Sequence, residues 1–204
     1  MKTFSIKGAI SHGWALFKEN KKILILSTIL YVALSGLYKQ NSFGRGYYHE
    51  GFGSPIVWLV LFALSIIVQI GWFKIMLHVE EGTGTSLKEL FTHLELFWKY
   101  LGVYVLYVVI VVIGFLLFII PGFYLMLKYG FAPFLIVDKK DLRIKEAFKQ
   151  SAQMSDGVKW KLFGLCLVMI LLNLLGALAL GFGLLVSVPV TMLAYIHVYK
   201  ELQK

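Results

Sequence analysis

A chain of 204 residues that is 59% hydrophobic and only 15% charged, with a mean hydropathy of +0.78, cannot clothe a soluble domain in a polar exterior. Its net charge of +9 admits nucleic acid or anionic lipid as partner, and its single cysteine, Cys166, excludes an internal disulfide or a cysteine metal site. Several uncharged apolar runs approach the roughly 20 residues that cross a bilayer as a helix, which predicts an integral membrane protein.

In chain order, Ile6, Ile10, Trp14 and Phe17 recur at helical spacing, with Lys7, Ser11 and Lys18 turned away. That periodicity predicts an amphipathic helix lying in the membrane interface. A first span follows at 23–38; the segment ahead of Ala33-Leu34-Ser35 is too long and too helical for a cleavable signal. The second span, 55–79, carries Gln69, and Lys74 near its inner end reads as a snorkelling anchor beside Trp72. His78, Glu80, Glu81, His93 and Glu95 come next. Such residues can ligate zinc, but their spacing matches no known motif, so the reading is a solvated face with no metal and no cofactor.

Leu87, Leu90, Phe91, Leu94, Phe97, Trp98 and Leu101 predict a second amphipathic helix, and 99–120 a third span. Pro121-Gly122 then reads as the tip of a hairpin, proline fitting the first turn of a new helix and glycine the tight return. The fourth span, 122–137, holds Lys128, Tyr129 and Pro133. A weaker stripe of Ile144, Ala147, Phe148, Ser151 and Ala152 precedes a fifth span at 162–180. Gly181 and Gly183 would make the return into a sixth span, 182–199. The fold expected is all-α: a polytopic helical membrane protein of about six transmembrane helices in three hairpins, each preceded by an amphipathic interfacial helix. Ser5-Ile6-Lys7, Ser86-Leu87-Lys88 and Arg143-Ile144-Lys145 open those helices alike. They suggest repeats at 5–79, 86–137 and 142–199 within one membrane domain.

The charges sort with this topology. Of the 20 lysines and arginines, sixteen fall on one side, only Lys39 and Arg45 on the other, and Lys74 and Lys128 within spans. The positive-inside rule then puts both termini in the cytoplasm. A single kinked helix in place of the third and fourth spans would carry the basic cluster of 139–161 outside.

The stretch from Gly114 to Leu165 resembles the core motif of a bacterial and archaeal multi-pass membrane superfamily. That superfamily includes the membrane domain ahead of some glycerophosphoryl diester phosphodiesterases and many stand-alone, uncharacterised membrane proteins. The matching residues are Ile120-Pro121-Gly122, Ala132-Pro133, Val137-Asp138, Glu146-Ala147, Ser151, Gly157 and Trp160-Lys161-Leu162-Phe163, with Gly181, Gly183 and Pro189 in the tail. The resemblance implies a helical membrane domain in a prokaryotic cytoplasmic membrane and brings no catalytic residues. The phosphodiesterase chemistry resides in a soluble barrel of typically about 250 residues, which this chain does not contain.

Among site candidates Lys128 stands out, about 9 Å from the expected hairpin tip at 1.5 Å per residue. A lysine at that depth costs at least a few kcal/mol and is a functional candidate by default, unless its stem snorkels to the outer interface. With Tyr129, Gln69 and Asn173 it could line a polar path; Gln69 and Asn173 also read as interhelical glue. Lys139, Lys140, Arg143, Lys145, Lys149, Lys159 and Lys161 abut the membrane, where topology and anionic-lipid contact explain them without nucleic acid. No nucleophile–base pair or phosphate loop is present, so no enzyme is expected. Two readings remain: a non-catalytic module organising lipids or other membrane proteins, and a transporter or channel for a small solute or lipid.

Overall fold

The computed structural model describes residues 3–43, 55–179 and 181–203, apart from the side chains of 36–43 and 55. The Lys39 side chain and Arg45, the two cations expected outside, therefore lie outside the described residues, as does Leu180 at the end of the expected fifth span. All regular structure among the described residues is helical: α1 (Ile6–Phe43), α2 (Pro55–Glu81), α3 (Glu89–Thr92), α4 (Phe97–Leu117), α5 (Ile119–Tyr129), α6 (Ala132–Asp138), α7 (Ile144–Ser155), α8 (Lys159–Leu178) and α9 (Leu184–Gln203).

Four segments are long and apolar enough to cross a membrane: Ile56–Glu81, Leu94–Leu117, Ile119–Asp138 and Lys159–Leu178. The other two expected spans are helical but are not among the four. Part of 23–38 has undescribed side chains, and α9 finishes in His197, Lys200 and Glu201. On α4 and α8 the outer faces are apolar and bare, with Leu116 80% and Leu178 73% exposed. Water would not tolerate so large a contiguous surface; lipid does.

Local chemistry explains where the helices bend and stop. In α1, Asn20 leaves helical geometry (φ −111°, ψ 20°), and its side-chain amide donates to the Leu16 carbonyl at 3.2 Å. The bend separates an N-terminal arm, 6–19, from the apolar remainder. At the end of α2, Gly82 takes φ +69°, and the Thr83 amide reaches back to the His78 carbonyl at 3.0 Å, a Schellman-type stop.

The expected helix through 87–101 is instead interrupted. His93 (φ −104°, ψ 43°) separates α3 from a 3-10 turn at Leu94–Leu96, and α4 begins only at Phe97. Leu90 is fully buried, because Gly71 of α2 lets the α3 backbone come close; Phe91, Leu94 and Trp98 of the expected stripe face outward. A continuous helix could not follow that tight approach and still enter α4.

Between α4 and α5 the reversal falls at Phe118, which is extended (φ −163°, ψ 158°), rather than at Pro121-Gly122. Pro121 occupies the first turn of α5, where its missing N–H costs nothing. Gly122 packs under the Phe115 ring, and any Cβ there would come within 2.4 Å of it. The two helices run back along each other, and the Tyr107 hydroxyl lies 3.4 Å from the Met126 carbonyl.

The core is formed by the second half of α2, by α6 and by α9. Every residue from Ala132 to Val137 is buried, and the Phe134 ring stacks on Phe73 at 4.6 Å. The α1 arm packs most extensively on α9, where Gly13 sits so close to the Val190 carbonyl that a Cβ would approach it to 2.6 Å. Gly176 of α8 and Gly183 beside α9 touch in the same way. In lipid, where burying apolar surface gains little, such small-residue contacts are a main source of helix adhesion.

Candidate functional site

Three polar groupings emerge from this packing. The first surrounds Lys128, where α5 ends. Pro133 at the second position of α6 cannot donate an amide, so the helix stops at Tyr129 and restarts at Ala132 instead of merely kinking. The Lys128 carbonyl is left outside a regular helix and is capped from α7: the Ser151 hydroxyl donates to it at 3.0 Å, and the Ser155 hydroxyl lies at 3.1 Å. Ser151 Oγ in turn accepts the Phe131 amide at 3.2 Å.

The Lys128 ammonium lies over the rings of Tyr124 (5.8 Å) and Tyr129 (5.3 Å), and Lys159 Nζ also lies over Tyr124 at 5.1 Å. Lys159 pairs with Asp156 at 2.8 Å, and that bond holds the Asp156 carboxyl below the usual carboxylate range. Lys128 thus joins the charged junction of α7 and α8 rather than reaching toward the reversal at Phe118. Beside it, Ile120, Phe123, Leu127, Trp160 and Phe163 line an apolar groove of about 460 Å³ between α5 and α8, with Lys159 on its wall.

The second grouping collects the ends of α2, α6 and α9. Asp138 accepts from the Tyr199 hydroxyl (2.7 Å), Lys200 (3.0 Å) and Gln203 (3.2 Å), while Lys200 also reaches Glu81 at 2.7 Å. Partial burial works against the Lys200 ammonium, but its bonds to Glu81 and Asp138 outweigh that and raise its pKa above the ordinary lysine value. Lys74 is buried nearby at 8% exposure, within electrostatic reach of Asp138 and Glu81, and is no lipid-facing anchor; Trp72 is buried too, stacked on Tyr31.

The third grouping is one that sequence reasoning missed. Glu80 leaves the expected solvated row and meets His12 of α1 (Nε2–Oε2, 3.1 Å) and His197 of α9 (Nδ1–Oε1, 2.7 Å). Only the His197/Glu201 pair, one helical turn apart, hinted at it in the sequence; nothing in the spacing points to His12. Of the same row, His78 pairs with Glu89 at 2.8 Å, and burial, reinforced by Lys74, lowers the pKa of His93.

The four residues offered for a polar path do not converge. Gln69 lines a separate cavity of about 420 Å³ with Tyr31, Ser65, Tyr100 and Tyr104, and Asn173 donates to Thr191 of α9 at 3.1 Å. Only Lys128 and Tyr129 are neighbours. The basic cluster is likewise dispersed. Lys140 pairs with Glu95 (2.8 Å), Lys139 contacts Gln150 (3.5 Å), and Lys161 bonds Thr3, while Arg143, Lys145 and Lys149 are exposed around α7.

Residues from α4 to the C-terminus thus supply the capped Lys128 carbonyl and most of the Asp138 network. Residues 104–204 match the family described as protein of unknown function (DUF975). The DUF975 match takes in α5 to α9 and His197, and leaves out His12 and Glu80. No curated protein and no solved structure matches the chain.

Proposed function

We propose that the protein is a non-catalytic membrane module that holds anionic lipid, with six spans in three hairpins and both termini in the cytoplasm of a prokaryotic cell. The observation that carries this reading is the groove between α5 and α8: its walls are apolar and suit acyl chains, while Lys159 and the adjacent Lys128 offer positive charge to a headgroup. Trp160, 87% exposed on the rim, suits an interfacial position. The solute-path alternative draws less support, since Gln69, Asn173 and Lys128 belong to different parts of the bundle.

The test is native mass spectrometry of detergent-purified protein with phosphatidylglycerol and phosphatidylcholine in competition. Each lysine near a headgroup contributes about 1 kcal/mol, so K128Q/K159Q should weaken phosphatidylglycerol retention by roughly 30-fold and leave phosphatidylcholine unchanged. Equal retention of the two lipids by the wild type, or no loss in the double variant, would reject the reading.

A further inference from the structure

We infer that His12, Glu80 and His197 form a binding site for one divalent transition-metal ion of the zinc class. The three residues come from α1, α2 and α9, and their ligand atoms all lie within 4.8 Å of one another. The two imidazole rings sit side by side with centroids 4.0 Å apart, and the Glu80 carboxylate offers one oxygen to each.

Charge balance argues for an ion. The Glu80 side chain is only 8% exposed, and among the described residues its ion-pair partners are the two histidines alone, which carry charge only when protonated. Lys200, the nearby permanent cation, is committed to Glu81 and Asp138. A carboxylate with so little solvent contact favours a cation close by, and a divalent ion held by these same three side chains would supply one.

The donor set selects the ion. Two imidazoles and one carboxylate suit zinc and its transition-metal neighbours, whereas magnesium and calcium take oxygen ligands. Zinc bonds of about 2.0–2.2 Å in a tetrahedron separate the ligand atoms by about 3.3 Å, so the observed 3.1 and 2.7 Å contacts would open slightly. The second nitrogen of His197 faces Glu201 at 3.7 Å, the place of the outer carboxylate that fixes the ring of a metal-bound histidine. The ion would pin the N-terminal arm of α1 to the core.

Chelator-stripped full-length protein in detergent, titrated calorimetrically with Zn²⁺, should bind one equivalent, and Mg²⁺ should not bind. Co²⁺ in its place should give the intense visible absorption of a tetrahedral ion. E80Q, H12N and H197N should each weaken Zn²⁺ binding at least tenfold, E201Q by about 10–100-fold, and H78N and H93N should match the wild type. Absence of saturable binding by the wild type overturns the proposal, as does unchanged affinity in H12N and H197N or loss in H78N and H93N. H12N alters the most exposed of the three ligands, so it and the wild-type titration decide the matter even if E80Q fails to fold.

Discussion

Lys128 presents two chemically separate features: an ammonium over two tyrosine rings and a carbonyl abandoned by its helix. The carbonyl is the more consequential for folding, because an unsatisfied buried acceptor costs about 1–3 kcal/mol. Two hydroxyls, Ser151 and Ser155, stand within bonding distance of it, so either can cover for the other. S155A alone should therefore cost about 0.5–1.5 kcal/mol, S151A about 1–3 kcal/mol because it also orphans the buried Phe131 amide, and the double variant more than the sum of the singles. Unfolding in mixed micelles measures this; a double variant no worse than one single would mean that the carbonyl finds another donor. The two serines also explain why α7, with Lys145, Glu146 and Lys149 on its outer side, docks where it does.

For elements, the closest approaches decide which helices are neighbours. Among the described glycines Gly71 permits the shortest of them: a Cβ built there falls 2.3 Å from the Leu90 Cα, a backbone atom that cannot swing away. G71A should push α3 off α2 at a cost of about 1–3 kcal/mol. Gly84 has nothing within 4 Å of its virtual Cβ, so G84A should stay within about 0.5 kcal/mol of the wild type. Equal thermal stability of the two variants would show that α3 is loosely held. The same contact accounts for the broken helix at 87–96. Hydrophobic periodicity there was real, but anchoring Leu90 beneath α2 is incompatible with one straight helix running into α4.

Across the whole molecule, the ends of α2, α6 and α9 are tied together through Lys200, while the reversal at Phe118 lies a full helix length away along α4. With Cys166 replaced by alanine, single cysteines at Lys140 and Lys200 should react with a membrane-impermeant maleimide only from the cytoplasmic face, and one at Phe118 only from the opposite face. Labelling of positions 118 and 140 from the same side would remove the separate spans on either side of Phe118 and the orientation built on them.

The sequence by itself determined the helical, membrane-embedded character of the chain, because hydropathy and helical periodicity are properties of contiguous residues. It also marked Pro121, Gly122, Gly181 and Pro133 as interruptions, though not whether each would bend a helix, start one or end one; that depends on which neighbour caps the freed backbone groups. Only the tertiary structure decided that Lys128 turns toward Asp156 and Lys159, and that Gln69 and Asn173 stay apart from it. The grouping of His12, Glu80 and His197 is the clearest case. Three residues spread over nearly the whole chain meet because Gly13 and the bend at Asn20 lay the first helix across the last, and no local pattern encodes a contact between helices so distant in sequence.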